Sequence, residues 1–174
     1  MIEIEFEKTY LAKKMPEGLE NFPHKEIIDI YIPQEETHPF LRIRKKGDVY
    51  EITKKEPINR TDSSEQSEHT IKLREEEFRA LVSVKGKRVN KIRYNYNYSG
   101  RNAEIGVFQE DLAGLVLVDF EFEKVEDKNN FKMPDFCLVD ITQDKTFAGG
   151  MLCGKKYADI EPRLKELGYK KIDN

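Results

Sequence analysis

The sequence predicts an α+β protein, mainly β, whose strands close into a barrel with short helices outside it. Two observations carry this. At least six stretches alternate apolar and charged side chains with a period of two, which marks strands with one dry face. Their charged faces are also sorted by sign from strand to strand, for which a sheet open to water offers no reason. Closing the sheet gathers those faces into one lumen. About eight strands leave an interior wide enough for side chains or one small ligand.

The first stretch, Ile2 to Leu11, sets the pattern. Ile2, Ile4, Phe6 and Tyr10 share one parity, while Glu3, Glu5, Glu7 and Thr9 share the other. Residues 12–23, with Pro16, Gly18 and Pro23, read as a loop or short helical turn. Lys25 to Ile32 resumes a strand. Phe40 to Lys55 reads as a hairpin: Leu41 and Ile43 alternate with Arg42 and Arg44, Lys46-Gly47-Asp48 turns, and Tyr50 and Ile52 alternate with Glu51, Thr53 and Lys55. Residues 56–67 carry Pro57, Asn59, Asp62 and three serines, and are expected to be a mobile loop.

Glu68 to Leu73 is a strand with Glu68, Thr70 and Lys72 on its polar face. Residues 75–85 predict an amphipathic helix through Phe78, Leu81 and Val82. Val89 to Tyr98 puts Ile92 and the tyrosines at 94, 96 and 98 opposite Lys91, Arg93, Asn95 and Asn97. Ser99-Gly100-Arg101-Asn102 turns the chain into 103–108, and 115–123 follows with Val116, Val118, Phe120 and Phe122 against Asp119, Glu121 and Glu123. A short helix over 126–133, a strand over 136–142, a helical turn over 145–152 and an amphipathic helix within 155–167 complete the chain. Proline fits only a first turn, so Pro162 places the start of that last helix near Asp159 or Ile160.

A length of 174 residues suits one domain, residues 1–174, with a core that needs no staples. Charged residues are 36% of the chain, yet the formal net charge is only -3. Net charge therefore gives no attraction to nucleic acid. Cys137 and Cys153 have no zinc spacing and are expected as reduced thiols. There is no apolar run near membrane-spanning length, and the alternation begins at residue 2, where a secretory leader would need an apolar block. A soluble cytoplasmic protein, with no membrane and no specific nucleic acid as partner, is the expectation.

Acidic strands (Glu5 and Glu7; Glu104; Asp119 and Glu121) and basic strands (Arg42 and Arg44; Lys55; Lys91 and Arg93) meet in the lumen of such a barrel. Five or six cations in one lumen call for a highly charged anion, and polyphosphate meets that demand. Arginine pairs its planar fork with phosphate oxygens. A cluster of hard carboxylate oxygens suits Mg²⁺ or Mn²⁺. No glycine-rich Walker loop is present.

These residues resemble the CYTH domain, also called the triphosphate tunnel metalloenzyme family. Glu5-x-Glu7 is similar to the family's opening motif. Leu41-Arg42-Ile43-Arg44, Ile52-Thr53-Lys54-Lys55, Glu68, Lys91-Ile92-Arg93, Glu104, Asp119-Phe120-Glu121-Phe122 and Asp140-Ile141-Thr142-x-Asp144-Lys145 follow in order. The resemblance implies a closed eight-stranded antiparallel barrel. It also implies a metal-dependent phosphohydrolase acting on tripolyphosphate, a nucleoside triphosphate or thiamine triphosphate. Carried over by motif, Arg42, Arg44, Lys55, Lys91 and Arg93 bind phosphate, with Lys91 and Arg93 in the catalytic role. Glu5, Glu7, Glu104, Asp119 and Glu121 hold Mg²⁺ or Mn²⁺. Glu68, Lys72 and Lys145 are further lining candidates, and Glu3 and Glu123 are rim charges.

Four positions depart from the family pattern. The opening motif's lysine falls at Thr9, with Lys8 on the wrong parity. Thr70, Gly106 and Thr146 stand where glutamate, aspartate and a basic residue are frequent. Two other readings follow. One is a class IV-like adenylyl cyclase, although the His-Phe lead-in typical of those enzymes is missing ahead of Glu5. The other is a non-catalytic binder of polyphosphate or a phosphorylated ligand. Either a monomer or a homodimer fits.

Overall fold

The computed structural model describes residues 3–59 and 61–173, with Glu3 described in its backbone alone. Ile2 and the Glu3 side chain, expected at the start of the first strand and at its rim, lie outside the described residues. The strands are β1 (Glu3–Ala12), β2 (His24–Ile32), β3 (Leu41–Lys46), β4 (Val49–Asn59), β5 (Asp62–Leu73), β6 (Lys87–Tyr98), β7 (Arg101–Phe108), β8 (Val116–Phe122) and β9 (Cys137–Asp140). All pairings are antiparallel, in the order β5-β4-β3-β2-β6-β7-β8-β1, and β5 pairs back onto β1 to close an eight-stranded barrel. β5 covers only Glu3 to Phe6 of that edge, and β9 takes over along Tyr10 to Ala12. Ile141 N–H, just past β9, donates to Thr9 O at 2.9 Å and carries the seam between them.

The register puts the sorted charges on one face. Asp29 and Tyr31 stand opposite Arg44 and Arg42, Arg44 opposite Glu51, and Lys55 opposite Glu68. Glu7 and Thr9 stand opposite Glu121 and Asp119, and Asp119 opposite Glu104. Directly opposed residues share a face, so all of these point into the barrel. Ser99 and Gly100 both take positive φ (51° and 81°) in the tight turn between β6 and β7, a conformation that favours glycine at the second position.

The apolar residues divide into two cores. The outer faces of β1, β7 and β8 (Tyr10, Ala103, Ile105, Val118, Phe120, Phe122) are buried beneath Leu19, Phe131, Phe136 and Cys137. The tyrosines of β6 join this layer, Tyr96 against Phe22 and Phe136, and Tyr98 against Phe120 and Phe136. The second core fills one end of the barrel. There the inward parity turns from charged to apolar: Leu11, Val89, Phe108 and Leu117 are buried with Ile141, Phe147, Leu152, Ile160 and Leu164. The helices are α1 (Glu75–Leu81), α2 (Val125–Asn130), α3 (Gly149–Leu152) and α4 (Tyr157–Glu166). With short helices expected outside the barrel, the amphipathic ones at 75–85 and 155–167 are the candidates to cover its outer apolar face. Instead, α4 caps the barrel end, and two largely irregular segments cover the outer face. α1 is shorter than predicted and lays Phe78 on Tyr50, with ring centroids 4.9 Å apart.

Residues 56–59 and 62–67 lie in strands rather than in a loop. β4 runs to Asn59 and β5 starts at Asp62, with a register shift between Pro57 and Asn59 that accommodates the proline. Asp62 Oδ1 accepts from Ser64 N–H at 2.9 Å and from Gln143 Nε2 at 2.9 Å, so the polar residues that suggested a loop tie the hairpin down. α4 starts at Tyr157, ahead of the expected 159 or 160, because the Asp159 carboxylate accepts the Lys156 backbone N–H at 2.8 Å and caps a turn sooner. Pro162 therefore lies inside the helix. Both cysteines are free and buried. Among the described residues, no helix is long and apolar enough to cross a membrane.

Candidate active site

The barrel encloses a cavity of about 710 Å³ lined by the inward parity of its strands and by the 141–152 segment. Its floor is the apolar core of Phe108, Leu117, Ile141, Phe147 and Leu152. Its walls carry the charges. Every predicted phosphate ligand (Arg42, Arg44, Lys55, Lys91, Arg93) and every predicted metal ligand (Glu5, Glu7, Glu104, Asp119, Glu121) lines this one cavity, as do Glu68 and Lys145. Lys72 shares their parity but is exposed beyond the wall. Glu123 is exposed too, in line with a rim position.

The cations are held by different means. Arg44 Nε and Nη2 donate to Asp29 Oδ1 and Oδ2 at 2.6 and 2.8 Å, and both residues are buried. Burial alone would raise the Asp29 carboxyl; the Arg44 guanidinium overrides it and holds Asp29 well below the usual carboxylate range. Arg93 Nη1 lies 2.5 Å from Glu104 Oε2. Lys55 Nζ lies 2.7 Å from Glu5 Oε2 and 2.8 Å from Glu7 Oε2. Arg42 Nη1 donates to Tyr31 OH at 3.3 Å, and the one carboxylate within ion-pair distance among the described residues, Glu68, is 3.9 Å away.

Some binding capacity is left over. The Nε atoms of Arg42 and Arg93 are buried with no hydrogen-bond partner among the described residues. Among the described residues no carboxylate comes within ion-pair distance of Lys91, whose ammonium sits 5.3 Å from the centre of the Phe108 ring. Burial, followed by the nearby Arg93 charge, lowers Lys91 to about 8. On the acidic side, Glu121 is pushed up to about 7, first by partial burial and then by Glu104 and Glu5. No ready-made group of three metal-binding side chains occurs among the described residues, since the acids lean on lysine and arginine instead.

Three contributors escaped the sequence reading. Asp29 and Tyr31 were hidden in an isoleucine-rich stretch, although they stand on the parity opposite Ile28, Ile30 and Ile32. Glu51 flanks Arg44, with 3.9 Å between charged atoms. Lys55 keeps the inward parity it shares with Glu51 and Thr53, while its neighbour Lys54 pairs outside with Glu56 at 3.0 Å.

An inorganic triphosphatase of Nitrosomonas europaea is 27% identical over 146 residues, which span 82% of this chain and 92% of the relative. A crystal structure of an inorganic triphosphatase matches with a TM-score of 0.63 at 25% identity, covering 87% of this chain and 95% of that one. The chain has the triphosphate tunnel (CYTH) fold. A protein from Pyrococcus horikoshii shares the fold at 16% identity, with a TM-score of 0.51 over 96% of this chain and 92% of its own. No family model matches the chain.

The departures from the tunnel pattern have local consequences. Thr9 Oγ1 donates to Asp119 Oδ1 at 2.8 Å, so a hydroxyl holds the carboxylate where a lysine is usual. Lys8 points out of the tunnel and lies 3.5 Å from Asp140. Thr70 Oγ1 donates to Glu68 Oε1 at 2.7 Å and also meets Thr53 Oγ1 at 2.9 Å. At Gly106 a side chain would crowd Lys91.

Proposed function

We propose that the protein hydrolyses a linear triphosphate held in this tunnel, with tripolyphosphate as first candidate and ATP or thiamine triphosphate as alternatives. One observation carries the reading: in a cavity with room for a linear triphosphate, closed by an apolar floor, Arg42 and Arg93 keep unspent buried donors and Lys91 has no ion-pair acid among the described residues. Buried donors without partners are costly, and an anion with many oxygens satisfies several at once. The similarity to inorganic triphosphatases in both sequence and structure supports the same reading.

In this account Arg42, Lys91 and Arg93 grip the phosphate oxygens. Arg44, already clamped by Asp29, directs only its remaining Nη1 edge toward the ligand. Hydrolysis places a water in line with the bond to the leaving phosphate, and charge builds up on the transferring group and the leaving oxygen. Lys91 and Arg93 stabilise that charge with fixed positive groups, and the apolar floor strengthens their effect by excluding water.

The carboxylates fit a divalent ion. Glu5 and Glu7 already share one cation, and Glu121 rises toward neutrality through partial burial and then the charges of Glu104 and Glu5. Glu5, Glu7, Glu104, Asp119 and Glu121 would hold Mg²⁺ or Mn²⁺, which supplies charge neutralisation and lowers the pKa of bound water. The test is phosphate release from tripolyphosphate, ATP and thiamine triphosphate with each ion, with Glu7→Gln as control. Release that requires the metal and falls in Glu7→Gln supports the reading. No release from any substrate by folded protein overturns it. Cyclic AMP formed from ATP would assign cyclisation instead.

A further inference from the structure

We infer that Lys55 is a built-in counter-cation for the metal carboxylates, which a divalent ion must displace and which then passes to the triphosphate. The inference rests on the proposed metal and triphosphate site and assigns Lys55 a role beyond phosphate contact: it couples the two ligands. Glu5 and Glu7 stand two residues apart on β1 and point the same way, so their carboxylates repel unless a cation joins them. Lys55 Nζ supplies that cation, at 2.7 and 2.8 Å from one oxygen of each.

An ammonium on a flexible four-carbon stem makes a movable occupant, unlike the clamped fork of Arg44. The hard carboxylate oxygens that flank Lys55 Nζ are the same oxygens a divalent ion needs, so the two compete. Across the barrel seam, Lys55 lies in the same cavity as Arg42 and Arg93, where a bound triphosphate offers a replacement partner. Without triphosphate, a metal ion entering between Glu5 and Glu7 would take from Lys55 both of the acids it pairs with. With triphosphate bound, the lysine has somewhere to go. Metal and triphosphate therefore bind with positive coupling, and each raises the affinity of the other by the same factor.

The experiment measures Mn²⁺ binding by calorimetry with and without imidotriphosphate, whose P–N–P bridges resist hydrolysis, in wild type, Lys55→Met and Lys55→Arg. In wild type, Mn²⁺ alone binds weakly and imidotriphosphate tightens it by about tenfold or more. Lys55→Met binds Mn²⁺ alone about tenfold tighter than wild type and loses most of the coupling, whereas Lys55→Arg stays weak. Equal or weaker Mn²⁺ binding in a Lys55→Met protein that melts cooperatively overturns the proposal while leaving the metal site standing. Should Lys55→Met fail to fold, absence of coupling in wild type overturns the proposal by itself. No Mn²⁺ binding to any of the proteins, with or without imidotriphosphate, overturns the metal reading and this proposal together.

Discussion

Gly106 leaves Lys91 its room: a β-carbon at 106 would stand 3.2 Å from Lys91 Cδ and 3.6 Å from its ammonium nitrogen. The two residues come from paired strands, β6 and β7, and both face the tunnel. A glycine in a strand interior weakens the strand, and a close approach is a common reason to keep one. Here the approach belongs to a lysine with no ion-pair acid among the described residues.

Lys91 loses its charge within an accessible pH range. Its pKa lies near 8 because burial and Arg93 both disfavour the ammonium. The ammonium is present below that value and disappears as pH rises through it. Triphosphate affinity should therefore fall above about pH 8, with Lys91→Arg removing that alkaline limb. The sign for stability is the opposite of the sign for binding. Between the depressed folded value and the ordinary lysine value the unfolded chain binds more protons, so this group's contribution to stability rises with pH there. Binding titrations and melts over the same pH series check both signs.

Gly106→Asp should supply Lys91 with the acid it lacks. A carboxylate beside the ammonium favours its charged form, so the alkaline limb moves up by about one pH unit or more. The same pair competes with phosphate for the ammonium, so KM for tripolyphosphate should rise several-fold even at neutral pH. An unchanged limb would mean that Lys91 does not set it.

Asp29→Asn tests the clamp on Arg44. Both partners are buried, and removing one charge of a buried pair leaves the other uncompensated, which costs about 3–5 kcal/mol. Urea unfolding at neutral pH should show a loss of that order. Acid sensitivity should change as well. A depressed carboxyl contributes stability that is present above its ordinary value and lost as pH falls toward its folded value. That acid-side slope should flatten in the variant.

Much of this site was legible in the sequence because strand parity is a hard constraint. Once Ile92 and the tyrosines of β6 take the outer face, Lys91 and Arg93 must face inward, and the same logic chose Lys55 over Lys54. Asp29 was not legible because isoleucine fills both parities of β2: Ile27 faces in with Asp29, while Ile28 and Ile30 face out. Parity also says nothing about depth along the tunnel. Leu11 shares the inward face of Glu5, Glu7 and Thr9, yet it belongs to the apolar floor, and only the packing of α3 and α4 against that end reveals it. The hairpin at 56–67 was misread because its polar side chains serve the β-structure itself, through Asp62, Ser64 and Gln143.

Glu121 offers the sharpest test of the acidic wall. Its carboxyl is pushed up to about 7 by partial burial, then by Glu104 and Glu5, while the side chain still reaches water, which softens the effect. A carboxyl raised on folding makes the folded state bind more protons than the unfolded one between about pH 4.5 and 7. Stability linked to this group is therefore present below that window and is lost as pH rises through it. Without divalent ions, Glu121→Gln should melt higher than wild type at about pH 8 and no higher at about pH 4, since the amide cannot ionise. Adding Mn²⁺ at pH 8 should raise the melting temperature of wild type more than that of the variant, because the ion meets the charge that crowds Glu121 and binds the folded state alone. Chelation should restore the original difference. If the two proteins melt alike at both pH values, Glu121 is not strained by its neighbours; if Mn²⁺ lifts both equally, Glu121 is not among its ligands.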